Sequence, residues 1–378
     1  MTRARLLILS FSDISADARV LKQVRFFADR YDVTTYGYGP SPDPRVEHVR
    51  LDDTLGVRRW TRRDLVLRRF HKIYWGQPAI QRAQADLERL EQFDVILAND
   101  VDAVGLALAL KPARGVHADI HEYAPRQNEE LLIWRAFEAP YMRWMCRRFL
   151  VRAASMTTVG HGIADEYRRV YGLRAGVVTN AAPYSELEAR PAGSPIRLVH
   201  SGASLRNRRL EVLVDAVAAT TNDVTLDLYL MGNDPEYVVE LRERAAGAGR
   251  VRFPDAVPYA QLIARLNEYD IGVHVMAPTN FNNRWALPNK FFDYVQARLG
   301  LIIGPSAEMQ KILVAHGFGS VSDDFGAAAL TRVLDDLTPP QVDEWKAHAV
   351  VAAQALSSET QVEIWGAAVD ALADRAHT

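Results

Sequence analysis

The chain has 378 residues, 45 of them Lys or Arg and 47 Asp or Glu, and a single cysteine. This length favours two or three domains, and it allows a sizeable core without disulfides or structural metals. The near-average composition excludes disordered, collagenous and coiled-coil classes. Cys146 has no second cysteine to pair with, which is typical of a reducing cytosol. No run reaches the roughly 18 apolar residues of a membrane span, and the first apolar run indicates a buried strand rather than a signal peptide.

The near-zero net charge conceals a difference between the two halves of the chain. Residues 1–190 carry 29 basic and 24 acidic side chains, a net charge of +5. Residues 191–378 carry 16 and 23, a net charge of −7. We therefore expect two domains with different partners, the first of which suits an anionic surface.

Short apolar runs alternate with helical patterns along the chain, and several runs, such as Leu6 to Leu9, are apolar on both faces. The predicted strands are 5–10, 32–36, 46–51, 93–98, 115–120, 156–159 and 176–179, followed by 196–201, 225–231, 251–253, 270–275, 300–304 and 319–321. The predicted helices include 18–30, 80–91, 129–154, 163–171, 210–219 and 260–269. Strands that are apolar on both faces and separated by helices predict a doubly wound parallel α/β fold.

A Pro- and Gly-containing stretch interrupts this pattern and predicts a domain boundary. We expect a Rossmann-like domain over 1–184, a linker over 185–195 and a second Rossmann-like domain over 196–357. The final helix, within 358–378, is expected to pack back on the first domain. Ligands of open α/β sheets bind beyond the carboxyl ends of the strands, so the loops there are the candidate sites, around a cleft shared by the two domains.

The loop after the first strand of the second domain combines a glycine with several cations. Gly202 would let the backbone approach a ligand closely, and the following helix would offer free N–H groups. Arg206 and Arg208, with Arg209, could bind phosphate oxygens. The alternative is a solvated basic turn. Neither the glycine pattern of a dinucleotide site nor that of a P-loop is present.

A second candidate site lies at the start of a predicted helix after Pro288. Asn289 begins this helix, and Lys290 and Asp293 lie three residues apart on one face. Lysine suits a phosphate, and a carboxylate suits a sugar diol. The alternative is an ordinary surface ion pair.

A third candidate follows the strand that ends at Ile120. His121 and Glu122 leave the strand after Asp119, where a ligand would lie. The alternatives are a structural histidine and a metal site, for which two ligands are weak support. No nucleophile elbow is present.

A fourth candidate, the basic segment 58–75, has seven cations between positions 58 and 72 and only one acid. An amphipathic helix bound to anionic lipid fits this composition, as do a solvated helix face and a loop that binds an anionic substrate. Nucleic acid ranks lower, because no helix-turn-helix, RRM or zinc pattern accompanies the charges. The residues predicted to contact a membrane or another anionic surface are Arg58, Arg59, Trp60, Arg62, Arg63, Arg68, Arg69 and Lys72.

Together these loops resemble retaining glycosyltransferase family 4, whose members have the GT-B fold, over nearly the whole chain. The matching segments, in the family's order, are Asp17 to Lys22, Asp119-Ile120-His121-Glu122, Arg152 to Val159, Val178-Thr179-Asn180-Ala181, Gly232-Asn233-Asp234-Pro235, and Pro288 to Tyr294. The last is similar to the Pro-Asn-Lys-x-Phe-Glu-Tyr sequence of one subgroup.

This resemblance implies a nucleotide-sugar donor in the second domain and an acceptor in the first, bound there by Asp13 and Glu122. By position Arg208 matches the family's phosphate-binding lysine, Asp293 its ribose-binding glutamate, and His121 the histidine near the transferred sugar. Three departures from the family matter: Trp285 replaces its first glutamate, Ala203 stands where a diphosphate-binding arginine is usual, and Asp293 is one methylene shorter than the glutamate it matches.

The resemblance further implies transfer to a hydroxyl of a glycan, lipid-linked or small-molecule acceptor, with retention and without a metal or other cofactor. We expect a cytoplasmic enzyme, peripheral on the inner face of the membrane in one interpretation, with no nucleic-acid partner. Two alternatives stay open at this point: a non-catalytic GT-B relative that acts as a partner or scaffold, and a sugar-nucleotide epimerase.

Overall fold

A computed structural model of the chain describes residues 3–247 and 249–375. The chain divides into two compact units. The first comprises the described residues of Met1–Thr179, Asn280–Asn282 and Gln361–Thr378, and the second those of Asn180–Thr279 and Asn283–Thr360. The predicted linker, 185–195, thus lies inside the second unit, whereas most of the final helix groups with the first.

The first unit is built on a parallel sheet in the order β3-β2-β1-β4-β5-β6-β7. Its strands are β1 Arg5–Asp13, β2 Asp32–Tyr38, β3 Glu47–Arg50, β4 Val95–Asn99, β5 Gly115–Ile120, β6 Ser155–Thr158 and β7 Gly176–Val177. Chain order reverses between β1 and β4, which pair with Leu6 opposite Val95. This reversal is the position where open α/β sheets bind ligands.

Helices cover the first sheet. They are α1 Ala18–Phe27, α2 Arg62–Val66, α3 Phe70–Trp75, α4 Pro78–Leu87, α5 Asp100–Ala109, α6 Ala139–Arg148 and α7 His161–Tyr171. Leu6 and Ile8 of β1 pack in one core with Trp365 and Val369 of the last helix. Trp365 thus buries its side chain against β1 and α1.

The second unit repeats this arrangement in the order β10-β9-β8-β11-β12-β13, with every pair parallel. Its strands are β8 Ile196–Ala203, β9 Val224–Met231, β10 Val251–Arg252, β11 Ile271–His274, β12 Gly300–Ile303 and β13 Gly319–Val321. Leu198 and Val199 of β8 enter different cores, one on each face of the sheet. The switch point lies between β8 and β11.

The remaining helices are α8 Glu211–Ala219, α9 Pro235–Ala245, α10 Tyr259–Leu266, α11 Phe281–Arg284, α12 Asn289–Gln296, α13 Ala307–His316, α14 Ala327–Asp335, α15 Pro339–Ala353 and α16 Ser358–Ala373. Across the described ranges, no helix combines the length and apolar character that crossing a bilayer requires. The prediction of parallel, doubly wound sheets is confirmed.

Two predicted helices are wrong in form. The helix expected over 129–154 is a π-helical turn at Trp134–Glu138, then α6, then a 3-10 turn at Leu150–Arg152. Pro140, in the first turn of α6, lacks the N–H that an uninterrupted α-helix would need there. The amphipathic helix of segment 58–75 is replaced by α2 and α3, which Arg68 separates with a φ of 50°.

Candidate functional site

In the second unit, two sequence-predicted residues meet at the switch point. Gly202, near the end of β8, has a φ of 140°, and Lys290 lies in the first turn of α12. A Cβ on Gly202 would approach the Lys290 ammonium nitrogen to 2.7 Å. Glycine therefore suits this backbone conformation, and the lack of a side chain leaves room for the lysine ammonium beside the strand.

Two histidines that the sequence analysis did not select flank this lysine. Nδ1 of His200 lies 2.8 Å from the Val273 carbonyl oxygen, so it carries the proton and donates. Nε2 then accepts from Nζ of Lys290 at 3.2 Å. The ring of His274 stacks on that of His200 at 6.1 Å between centroids.

This cluster resists positive charge. Burial, and after it the charge of Arg208, lower the pKa of Lys290 to about 7, while Asp293 acts in the opposite direction. Burial, and to a smaller extent the positive charge of Lys290, also holds the pKa of His200 and of His274 well below the usual range. Within the described residues, neither ring nitrogen of His274 has a hydrogen-bond partner. The arrangement would therefore gain stability from an anion.

The other predicted donor residues differ in position. Arg208, in the 3-10 turn Arg206–Arg208, is partly buried and contacts the sulfur of Met276, just beyond β11. Arg206 does not join it, because its guanidinium binds Glu240 at 2.6 Å and Asp234 at 3.2 Å. Arg208 is thus the cation of this loop that stays near Lys290, whose pKa it influences.

On α12, Asn289 is exposed, whereas Asp293 is buried at 3% exposure. The carboxylate of Asp293 accepts a hydrogen bond of 3.1 Å from the Tyr259 hydroxyl. Lys290 and Asp293 occupy one helix face, as their spacing predicted, but they belong to a partly buried site and not to a surface ion pair.

In the first unit, His121 follows β5 and lies between two carboxylates. Its Nδ1 is 3.3 Å from Asp100 and its Nε2 is 3.5 Å from Asp119. Burial would lower the pKa of His121, but Asp100 and Asp119 together raise it above the usual value. Asp100 itself has a φ of 62°, a left-handed conformation that is uncommon outside glycine.

Asp119 is fully buried and fully bonded. Arg19 of α1 binds it with two bonds of 2.7 Å, and Gln23 and Thr157 each donate at 2.7 Å. Burial would raise the pKa of Asp119, but Arg19 and His121 hold it well below the usual value. This carboxylate is therefore ionised, and it anchors His121.

Glu122 accepts hydrogen bonds from the side-chain amides of Gln127 and Asn282, the latter at 3.0 Å. Gln127 also accepts from Arg58 at 2.7 Å, so it links Arg58 to Glu122. Burial, with a smaller contribution from Asp100, raises the pKa of Glu122 to about 7. Asn282 comes from the short segment Asn280–Asn282 that belongs to the first unit.

The prediction that Arg58 contacts an anionic surface is wrong. Its guanidinium pairs with the buried carboxylate of Asp102 at 2.9 Å, because that carboxylate would otherwise lack a cation. Trp60 is also partly buried and packs edge-on against Tyr141, with ring centroids 5.2 Å apart. The exposed cations of this segment are Arg59, Arg62, Arg63, Arg68, Arg69 and Lys72.

Asp13 ends β1 and is exposed, and its carboxylate accepts from the backbone N–H and hydroxyl of Ser15, at 3.1 and 2.6 Å. The chain does contain an Asp-x-Asp sequence, at Asp100 and Asp102, so the expectation of a metal-free reaction draws no support from the lack of one. These two carboxylates bind different partners, His121 and Arg58. Among the residues that the structure describes, no three His, Cys, Asp or Glu side chains are grouped to hold a metal ion.

Comparison with known proteins identifies the fold. No family model matches the chain, and no curated protein matches it. Among solved structures, it is similar to HepE from Anabaena in complex with UDP and glucose, at 14% identity and a TM-score of 0.70, over 97% of this chain and 100% of HepE. It is also similar to sucrose-phosphate synthase from Thermosynechococcus elongatus, at 13% identity and a TM-score of 0.71, over 98% and 99% of the two chains.

A glycosyltransferase from Rickettsia africae is 9% identical, with a TM-score of 0.73 over 100% of both chains. These neighbours are GT-B glycosyltransferases, and the protein has the GT-B fold, as predicted. At these identities the likeness establishes the fold, and the chemistry has to be argued from the side chains.

Proposed function

We propose that the protein is a glycosyltransferase that takes a sugar from a nucleoside-diphosphate donor bound in its second unit. The observation that carries the proposal is the grouping of Gly202, Lys290 and Arg208 at the switch point between β8 and β11. A glycine beside two cations suits a diphosphate, which the N–H groups at the start of α12 would also favour. HepE, a structural neighbour, has been solved with UDP-glucose.

The proposed chemistry follows from charge. As the bond between the sugar and the diphosphate breaks, negative charge grows on the departing oxygen. Lys290 and Arg208 would stabilise this transition state more strongly than they stabilise the intact donor, and this difference lowers the barrier. Asp293 is proposed to bind the ribose hydroxyls, with Asn289 nearby at the start of α12.

The acceptor is proposed to be a hydroxyl of a glycan, lipid-linked or small-molecule substrate, bound in the first unit by Asp13 and Glu122. His121 is proposed to position the transferred sugar and not to act as a general base, because Asp100 and Asp119 face its two ring nitrogens and raise its pKa. Retention and a metal-free reaction are further proposals, drawn from the family 4 resemblance.

We also propose that the protein works in the cytoplasm, docked on the inner face of the membrane. Support comes from the exposed cations of segment 58–75, among them Arg62, Arg63 and Arg69. Each cation near an anionic leaflet contributes about 1 kcal/mol, so that several together suffice for binding.

A thermal-shift panel tests the donor site. UDP, GDP, dTDP and ADP, free and with common sugars attached, would be added in EDTA and again with magnesium. A ligand at about 100 times its dissociation constant stabilises by about 2.7 kcal/mol, which is seen as a higher melting temperature. We expect one base to be selected, with the shift lost in Lys290→Met and kept in Lys311→Met, an exposed lysine of the same unit. A flat panel under both conditions would contradict the proposal.

A further inference from the structure

The first unit contains a surface pocket of about 410 Å³ that is lined by residues of α6 and by Arg68 and Phe70 of the basic segment 58–75. Its lining includes four arginines and two aromatic side chains, and no carboxylate: Arg68, Arg143, Arg147, Arg148, Phe70 and Trp144. A concave surface with four cations and no acid is built to attract an anion.

The helix α6 explains why three of these arginines lie together. Arg143 and Arg147 are four residues apart, as are Trp144 and Arg148, so they share one side of the helix. On the opposite side Met142, Met145 and Cys146 are fully buried. Packing of that apolar side therefore forces the cations outward, where the loop before α3 adds Arg68.

None of the four guanidinium groups has an ion pair or a hydrogen bond among residues 3–247 and 249–375. The contrast with their neighbours is clear, because Arg69 and Lys72 both pair with Asp64, at 3.6 and 3.4 Å. The four arginines of the pocket thus keep all their donors for a ligand.

Aromatic packing fixes the wall of the pocket. The Trp144 ring stacks on Tyr141 at 5.9 Å with an angle of 13°, and Phe70 lies 6.1 Å from Trp144. Arg68, two residues before Phe70, has a φ of 50°. This left-handed conformation is uncommon for arginine, and Arg68 is one of the residues that line the pocket.

We propose that this pocket binds the terminal phosphoryl group of a membrane lipid. Such a group carries close to two negative charges and three acceptor oxygens. It can therefore accept paired hydrogen bonds from several arginines, and it matches their charge better than a phosphodiester, which carries a single charge. Val66 and Leu67, just before Arg68, are 57% and 49% exposed, and apolar side chains beside a cationic pocket suit a lipid surface. The inference rests on the proposed membrane docking and is independent of the donor site.

Flotation of the protein with vesicles tests the inference. Phosphatidylcholine vesicles containing phosphatidic acid, which has a terminal phosphoryl group, would be compared with vesicles of equal charge containing phosphatidylglycerol, which has none. We expect the double variant Arg143→Gln/Arg147→Gln to lose about tenfold or more in affinity for phosphatidic acid and much less for phosphatidylglycerol.

The matched control is Arg89→Gln/Arg168→Gln, which removes the same charge from two exposed arginines of the same unit. An equal loss of affinity for phosphatidic acid vesicles in both double variants would overturn the proposal of a specific pocket. The overall positive charge of the surface would then explain the binding. Failure of the wild type to bind any anionic vesicle at low salt would overturn the membrane docking itself.

Competition with inorganic pyrophosphate distinguishes a lipid headgroup from a free phosphate compound as the ligand of the pocket. Release of the protein from phosphatidic acid vesicles by pyrophosphate supports a lipid phosphate in the pocket. Binding of pyrophosphate that is lost in Arg143→Gln/Arg147→Gln but kept in Lys290→Met, by a protein that does not bind the vesicles, would overturn the assignment to a lipid.

Discussion

Nζ of Lys290 lies 3.2 Å from Nε2 of His200, and this nitrogen can only accept, because Nδ1 of the same ring donates to the Val273 carbonyl. The bond suits an amine as well as an ammonium. With the pKa of Lys290 lowered to about 7, the lysine is only partly charged at neutral pH. A bound diphosphate would restore the full charge, since it supplies the anion that the buried cluster lacks.

The first prediction is that binding of a nucleoside diphosphate takes up a proton above neutral pH. The diphosphate raises the pKa of Lys290, so affinity should fall by up to about tenfold per pH unit once the pH exceeds about 7. Calorimetry at pH 8 in two buffers of different ionisation enthalpy measures the uptake directly. Uptake should be small at pH 6, where Lys290 is already mostly charged, and equal uptake at pH 6 and pH 8 would assign the proton to another group.

A second prediction concerns the stability of the ligand-free protein. The pKa of Lys290 is lower in the folded protein than in the unfolded chain. Burying the charged lysine therefore costs folding free energy in full below pH 7, and this cost is relieved as the pH rises toward about 10. Lys290→Met should therefore stabilise the ligand-free protein at pH 7, by on the order of 1–2 kcal/mol after discounting for partial exposure. Urea denaturation at pH 7 and pH 9 would show the difference shrinking at the higher pH. Lys311→Met, a change of an exposed lysine, should show no such trend.

The third prediction is that Asp119→Asn costs about 3–5 kcal/mol of folding free energy, because it leaves the buried guanidinium of Arg19 without its anion. The folded-state pKa of Asp119 is depressed, so this stabilisation is present above about pH 4 and lost as the pH falls through the lower, folded value. The difference in free energy of unfolding between the wild type and Asp119→Asn should stay constant from pH 8 to about pH 4 and become smaller below pH 4. Asp32→Asn, at an exposed and longer ion pair of 3.8 Å, should cost about 1 kcal/mol or less.

The architecture was predictable from local pattern. Each predicted strand corresponds to an observed one, because buried parallel strands are continuous apolar runs between helices. Helix form was less predictable around Pro140 and Arg68, where one residue decides whether a helix continues. Side-chain pattern gives little information about a φ of 50° at an arginine.

For the donor site, the sequence predicted Gly202, Arg208 and Lys290, because each lies at or beyond the carboxyl end of a predicted strand. It missed His200 and His274, which lie in the central strands β8 and β11, because a lone histidine in an apolar strand has no spacing to reveal it. Arg58 was assigned to a surface because of its basic neighbours, and its partner Asp102 is 44 residues away. An ion pair between residues this far apart in the sequence cannot be predicted from the local sequence pattern.

The last prediction concerns Glu122, whose pKa is raised to about 7 in the folded protein. Between about pH 4.5 and 7 the folded state holds a proton that the unfolded chain has lost, so stability falls as the pH rises through this window. Glu122→Gln removes the buried carboxylate, and its advantage over the wild type should grow from pH 5 to pH 8 by on the order of 1–2 kcal/mol. Urea midpoints across this range measure the trend, with Glu91→Gln, at a side chain 89% exposed, as the control that should stay level. A gap that did not change with pH would show that Glu122 is ionised throughout, with Arg58 and His121 outweighing its burial.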